Sequence, residues 1–67
     1  MVEVRVNGTD REMPDGTTVS GLLAELGVPP AGVAVAVNGA VVPRAEHDGT
    51  VLSDGAVVEV LTAVQGG

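Results

Sequence analysis

The chain has 67 residues, a formal net charge of −6, no cysteine and no aromatic residue. That length holds one domain, and three arginines (Arg5, Arg11, Arg44) against nine acids, with no lysine, remove the basic footprint that nucleic acid or an anionic membrane surface requires. The absence of cysteine excludes disulfides, thiolate metal sites and iron–sulfur clusters, and a core without aromatics must be built from Val, Leu, Ala and Met.

Val2, Val4 and Val6 alternate with Glu3 and Arg5, the period of a strand with one buried face. Asn7-Gly8 is a two-residue hairpin signal, because a type I′ turn needs positive φ at both central positions. Thr9 to Met13 reads as the returning strand, ended by the Pro14-Asp15-Gly16 turn. Thr17 or Thr18 is placed to cap a short helix. Val19, Leu22, Leu23 and Leu26 form its single apolar stripe, and Gly27 stands at its C-terminus with Pro29-Pro30 beyond.

Val33 to Val37 alternates Val with Ala and reads as a strand covered by the helix on at least one side. Asn38-Gly39 repeats the hairpin signal. Val41-Val42 begins the partner strand, and Pro43 stops it. Ala45 to Ser53 reads as irregular, Asp54-Gly55 as a third turn and Val57 to Leu61 as the last strand. Two hairpins separated by a helix, with a fifth strand, predict an α+β domain with the helix across one face of a sheet. The expected division is a domain over 1–62 and a flexible tail over 63–67. No apolar run approaches a membrane span and the N-terminus has no signal-peptide pattern, so a cytoplasmic protein is expected.

Catalytic constellations are scarce. His47 is the only histidine, which excludes a His-based metal cluster, and Glu46, His47 and Asp48 read as a solvated loop. Ser20 and Ser53 read as capping or turn residues, and Gly8, Gly16 and Gly39 as turn glycines without the clustered spacing of a phosphate loop. The acids read as a solubilising surface. No catalytic residue and no metal site are expected, and the chain is not expected to be an enzyme.

Gly66-Gly67 remains. With ten glycines in 67 residues, composition alone places two at the end about 2% of the time. One reading is a frayed end. The other makes the α-carboxylate of Gly67 the functional group. Glycine has no Cβ to block approach, and five extended residues reach roughly 16 Å, enough to enter a narrow channel of another enzyme.

The Asn7-Gly8 turn, Gly16-Thr17-Thr18-Val19 leading into Leu22-Leu23, Val35-Ala36-Val37-Asn38-Gly39, Val41-Val42-Pro43-Arg44, Asp54-Gly55 and Gly66-Gly67 together resemble the ubiquitin-like β-grasp family, and within it the ThiS-type sulfur carriers of thiamin biosynthesis. The sequence departs from that pattern at Ala56, where members often carry an acid, and near His47 and at Leu61 or Thr62, where they often carry an aromatic.

The resemblance implies a mixed sheet of about five strands with one helix packed across it. It also implies a mechanism. A ubiquitin-activating-like adenylyltransferase uses ATP to adenylate the Gly67 carboxylate. A cysteine-desulfurase-type donor supplies persulfide sulfur to form a thiocarboxylate, which delivers the sulfur to a thiazole synthase. The carrier itself holds no cofactor. Val64, Gln65 and Gly66 are then the tail-recognition residues, and Val58, Val60, Leu61 and Arg44 the expected partner surface. Arg44 is expected either to pair with an acid inside the domain or to meet a carboxylate on the partner. Alternatives are a carrier for molybdopterin or another sulfur-containing metabolite, a ubiquitin-like protein modifier, and an interaction module without covalent chemistry.

Overall fold

Residues 1–29 and 31–62 are described by the computed structural model of the chain; the expected tail at 63–67 lies outside them. Five strands and two helical segments follow in the order β1 (Val2–Val6), β2 (Thr9–Met13), α1 (Val19–Leu26), β3 (Val33–Val37), β4 (Ala40–Val42), a 3-10 helix (Arg44–Gly49) and β5 (Val57–Thr62). The predicted strands, turns and helix are all present.

Both Asn-Gly pairs form tight hairpin turns. Asn7 and Asn38 have φ of 50° and 52°, and Gly8 and Gly39 have φ of 84° each, the positive values that a type I′ connection requires. The turns set the register of their hairpins. Val6 pairs with Thr9 and Val2 with Met13 in one, and Val37 pairs with Ala40 and Val35 with Val42 in the other.

The helix is eight residues long, below the length at which an isolated helix persists in water, so its ends and its packing must hold it. Thr18 is the N-cap, its Oγ1 accepting from the Gly21 N–H at 3.1 Å. Thr17 instead donates its hydroxyl to the Pro14 carbonyl at 2.7 Å. At the other end Gly27 takes the left-handed conformation, its N–H reaching the Ala24 carbonyl at 3.1 Å while the Val28 N–H reaches Leu23 at 3.0 Å. This Schellman arrangement satisfies carbonyls the last turn would leave open. Val19, Leu22 and Leu23 are buried and Leu26 packs at their margin, as the stripe predicted.

The sheet order is β2-β1-β5-β3-β4. β5 lies at the centre, parallel to β1 and antiparallel to β3, so the sheet is mixed. Side chains alternate between its faces. Val4, Val6, Met13, Val35, Val58 and Val60 point toward the helix and join Val19, Leu22, Leu23, Leu52 and Ala56 in one core.

The segment Ala45 to Ser53 departs from expectation. It is ordered by contacts remote in sequence: the 3-10 helix packs on α1, and the chain after it bridges to the helix start, Val19 N–H to the Thr50 carbonyl and Leu52 N–H to the Thr17 carbonyl, each at 2.9 Å. Leu52 is thereby drawn into the core. No local periodicity announces such an element, because its partners are supplied by tertiary packing.

Because α1 is so short, its cap carries a measurable share of stability. Thr18→Ala should lower the unfolding free energy by about 1 kcal/mol, read as a reduced urea midpoint with an unchanged slope.

Candidate functional site

The two faces of the sheet differ sharply. One is covered by α1. The other carries Glu3, Arg5, Asp10, Glu12, Ala34, Ala36, Val41, Val57, Glu59 and Leu61, as strand alternation and pairing require. On it Ala34 lies opposite Leu61, and Ala36 lies between Glu59 and Val41. Leu61 is 68% and Val41 74% exposed. The two small alanines therefore leave a shallow apolar strip between two large exposed aliphatic side chains.

Toward β1 and β2 this face becomes charged. Arg5 and Asp10 sit directly opposite across the hairpin, with Arg5 Nε donating to Asp10 Oδ1 at 2.9 Å. That hydrogen bond first, and the Asp10 charge second, hold the guanidinium even more firmly protonated than usual. Being well exposed, the pair contributes little to stability.

The residues expected at a partner surface are separated by this alternation. Leu61 is on the open face. Val58 and Val60, at 0% and 7% exposure, are in the core and cannot touch a partner docked on the folded domain. The error has a physical cause: both faces of the last strand are rich in apolar residues, and only its register against β3 says which is covered. Val41 and Val57 are exposed members of the open face that sequence reasoning missed. For Val41 a signal existed. The two-residue Asn38-Gly39 turn pairs it with Ala36, on the face opposite the larger Val35 and Val37.

Arg44 opens the 3-10 helix and is exposed. The ion pairs among the described residues are Met1 N-terminus with Asp15 and Arg5 with Asp10, so the intradomain partner expected for Arg44 is not found there. Arg44 lies instead on the rim of a cavity of about 370 Å³ between α1 and the 3-10 helix. Leu23, Ala24 and Val28 line its apolar side, with Ser20, His47 and Asp48 completing the wall.

His47 is not in a solvated loop. It is 3% exposed, and its Nε2 lies 3.1 Å from the Val42 carbonyl. Since a carbonyl can only accept, Nε2 carries the hydrogen, and the ring ties the 3-10 helix to the end of β4. Nδ1 is buried without a hydrogen-bond partner among the described residues. Ser20 is likewise no cap: it lies inside α1 and donates to Asp48. The Ser20–Asp48 and His47–Val42 contacts pin the same helix–helix junction.

Among the described residues no group of three His, Cys, Asp or Glu side chains is placed to hold a metal. None of their helices is long and apolar enough to cross a membrane. The residues expected to carry the covalent chemistry and its recognition, Gly67, Gly66, Gln65 and Val64, lie outside the described residues.

A five-stranded mixed sheet with one helix across it, its central strand leading to the last residues of the chain, defines a ubiquitin-like β-grasp protein. The chain belongs to the ThiS family, whose pattern matches residues 4–67. A crystal structure of a thiamine biosynthesis protein (ThiS) from Geobacter metallireducens superimposes with a TM-score of 0.82 at 35% identity, covering 98% of this chain and 100% of that one. A solution structure of a thiamine biosynthesis protein from the same organism gives 0.81 at 33% identity, covering 98% and 88%. A thiazole synthase from Magnetococcus marinus is 38% identical over 66 residues, covering 98% of this chain but 20% of the relative. The chain thus spans one fifth of that protein's length.

The opposite faces of β5 make a direct test of this placement. Val58→Ala should lower stability by about 2 kcal/mol, as large-to-small changes in a packed core do, whereas Leu61→Ala should stay within about 0.5 kcal/mol of the parent. Urea unfolding of the two variants side by side measures the difference.

Proposed function

We propose that the chain is a sulfur carrier of thiamine biosynthesis whose Gly67 carboxylate is the covalent site. The observation that carries this reading is the ThiS-family match, which runs through residue 67 and so includes Gly66 and Gly67. The chemistry needs activation. A carboxylate is a poor electrophile until one oxygen becomes a good leaving group, and adenylation at the expense of ATP does that. A persulfide sulfur then displaces AMP at the acyl carbon, and a second thiol on the donor side attacks the resulting acyl disulfide, forming a disulfide with the donor's own sulfur and releasing the thiocarboxylate. With no cysteine in the chain, the acyl carbon is where this protein can hold sulfur as a covalent thiolate.

In this reading the catalytic groups and the ATP belong to partners, and the carrier is neither an enzyme nor a cofactor-binding protein. The partners are a ubiquitin-activating-like adenylyltransferase, a cysteine-desulfurase-type donor and a thiazole synthase, all acting in the cytoplasm. Support for the last comes from the Magnetococcus marinus thiazole synthase, one fifth of which resembles nearly the whole of this chain. Val64, Gln65 and Gly66 form the stretch a partner channel would read. The strip from Leu61 to Val41 is the docking face, with Arg44 available for a partner carboxylate at a separate place on the domain.

Intact mass spectrometry of the chain incubated with activating enzyme, ATP and a persulfide donor tests the reading. The expected product has one oxygen replaced by sulfur at the C-terminus. Deleting Gly67 should abolish AMP transfer while leaving the melting temperature unchanged, and undiminished adenylation of that variant would sink the proposal. Isopeptide-linked targets without a thiocarboxylate would make the chain a protein modifier instead.

The net charge of −6 should also steer encounter with basic partner surfaces. Stopped-flow association should slow as the Debye length shrinks from about 10 Å at 0.1 M to about 3 Å at 1 M salt, with dissociation nearly constant. A salt-independent association rate would reduce the acids to a solubilising role.

A further inference from the structure

The groups that hold β5 on its β1 side end in an unusual way. The Arg5 N–H donates to the Ala56 carbonyl at 2.9 Å and the Asn7 N–H to the Val58 carbonyl at 3.0 Å. There β1 turns away into Asn7-Gly8, and the next residue of β5 facing that side is Val60. The Asn7 side chain takes the place of the missing strand. Its Oδ1 accepts from the Val60 N–H at 2.9 Å, and its Nδ2 donates to the Val60 carbonyl at 3.1 Å. One carboxamide therefore answers both backbone groups of one residue, which a carboxylate or a hydroxyl cannot do in the same way.

The other hairpin asparagine holds the opposite end of the same strand. Asn38 Oδ1 accepts from the Val57 N–H at 2.9 Å, and its own N–H donates to the Val57 carbonyl at 2.7 Å. β5 is thus gripped at its start by Asn38 and near its end by Asn7, while β3 pairs with it as far as Thr62. Without the Asn7 carboxamide, the stretch from Val60 to Thr62 would be held from the β3 side only.

We propose that Asn7 is a positioning residue for the C-terminal chemistry: its carboxamide extends the two-sided hold on β5 to Val60 and thereby sets where the residues leading to Gly67 leave the sheet. This rests on the carrier reading above. A loosened strand end must be ordered again when a partner binds, a cost paid at association. The loss therefore falls on KM, while the adenylation step, carried out by groups of the partner, keeps its rate at saturation.

Asn7→Gly isolates the carboxamide, because glycine accepts the positive φ of the turn without strain. Asn38→Gly removes the side-chain bond to the Val57 N–H at the other end of β5, keeps the backbone bond to the Val57 carbonyl, and serves as the control for losing a hairpin-asparagine contact to β5. Amide exchange at Val60 in the full chain should quicken about tenfold in Asn7→Gly, and far less in Asn38→Gly once global stability is accounted for. In steady-state adenylation, Asn7→Gly should raise KM for the carrier about fivefold with kcat within about twofold, while Asn38→Gly leaves both within about twofold.

Unchanged exchange at Val60, or an equal rise of KM in Asn38→Gly, overturns the proposal. If Asn7→Gly proves too unstable, Asn7→Asp serves in its place. It keeps the acceptor for the Val60 N–H, sets an oxygen against the Val60 carbonyl, and should show the same changes in direction. A parent chain that is not adenylated at all overturns the carrier reading and the positioning role with it, and Val60 exchange, read without any enzyme, decides the clamp in either event.

Discussion

The parallel pairing of β1 with β5 is the contact on which the rest of this structure depends. It joins segments more than fifty positions apart, as the bonds from Glu3 to Asp54 and from Asn7 to Val60 show. Each hairpin can form from its own turn, but two-stranded hairpins alone are marginal in water. β5 unites them, lying between β1 and β3, and presents Val58 and Val60 to the helix. The Asp54-Gly55 turn locks the start of this union: the Gly55 N–H reaches the Glu3 carbonyl at 2.7 Å, and the Asp54 carboxylate accepts the Glu3 N–H at 2.8 Å.

That arrangement suits the proposed carrier role, in which the covalent chemistry falls after β5. The strand that leads to the last residues has partners on both sides and an asparagine at each end. In that proposed role, a rigid strand end ahead of the reacting group limits the volume it must search, which favours productive encounter with a partner. The same constraint explains the modest core. Valine on the inner face of four strands and three buried residues of an eight-residue helix are enough when the sheet has only one face to cover.

The open face divides the remaining labour. Alanines at 34 and 36 keep β3 flat between Leu61 and Val41, while Arg5, Asp10, Glu3 and Glu12 give the β1–β2 side a charged, well-hydrated surface. Charged edge strands also discourage sheet-to-sheet association, and β2, an edge strand of this sheet, carries Asp10, Arg11 and Glu12. Leu61 and Val41, the most exposed apolar residues of this face, thus lie on its β5–β3–β4 side, with Glu59 opposite Ala36 between them.

Much of this was legible in the residues themselves, because it is local. The period-two valines, the two Asn-Gly turns, the helix stripe from Val19 to Leu26 and the Gly27 stop each depend on neighbours within a few positions, so the strands, the helix and the α+β class follow from the sequence by itself. What only the tertiary structure decided is which face each apolar residue shows and what the loop residues touch. Val58 and Val60 proved buried and Leu61 exposed because β5 takes its register from β3. His47 and Leu52 are buried because a 3-10 helix and a bridge to Thr18 form against α1. Asn7 needs its carboxamide for Val60 as well as its backbone for the turn. These outcomes rest on pairings between segments remote in sequence, up to Asn7 with Val60, and such pairings depend on how separate elements meet, which local periodicity does not encode.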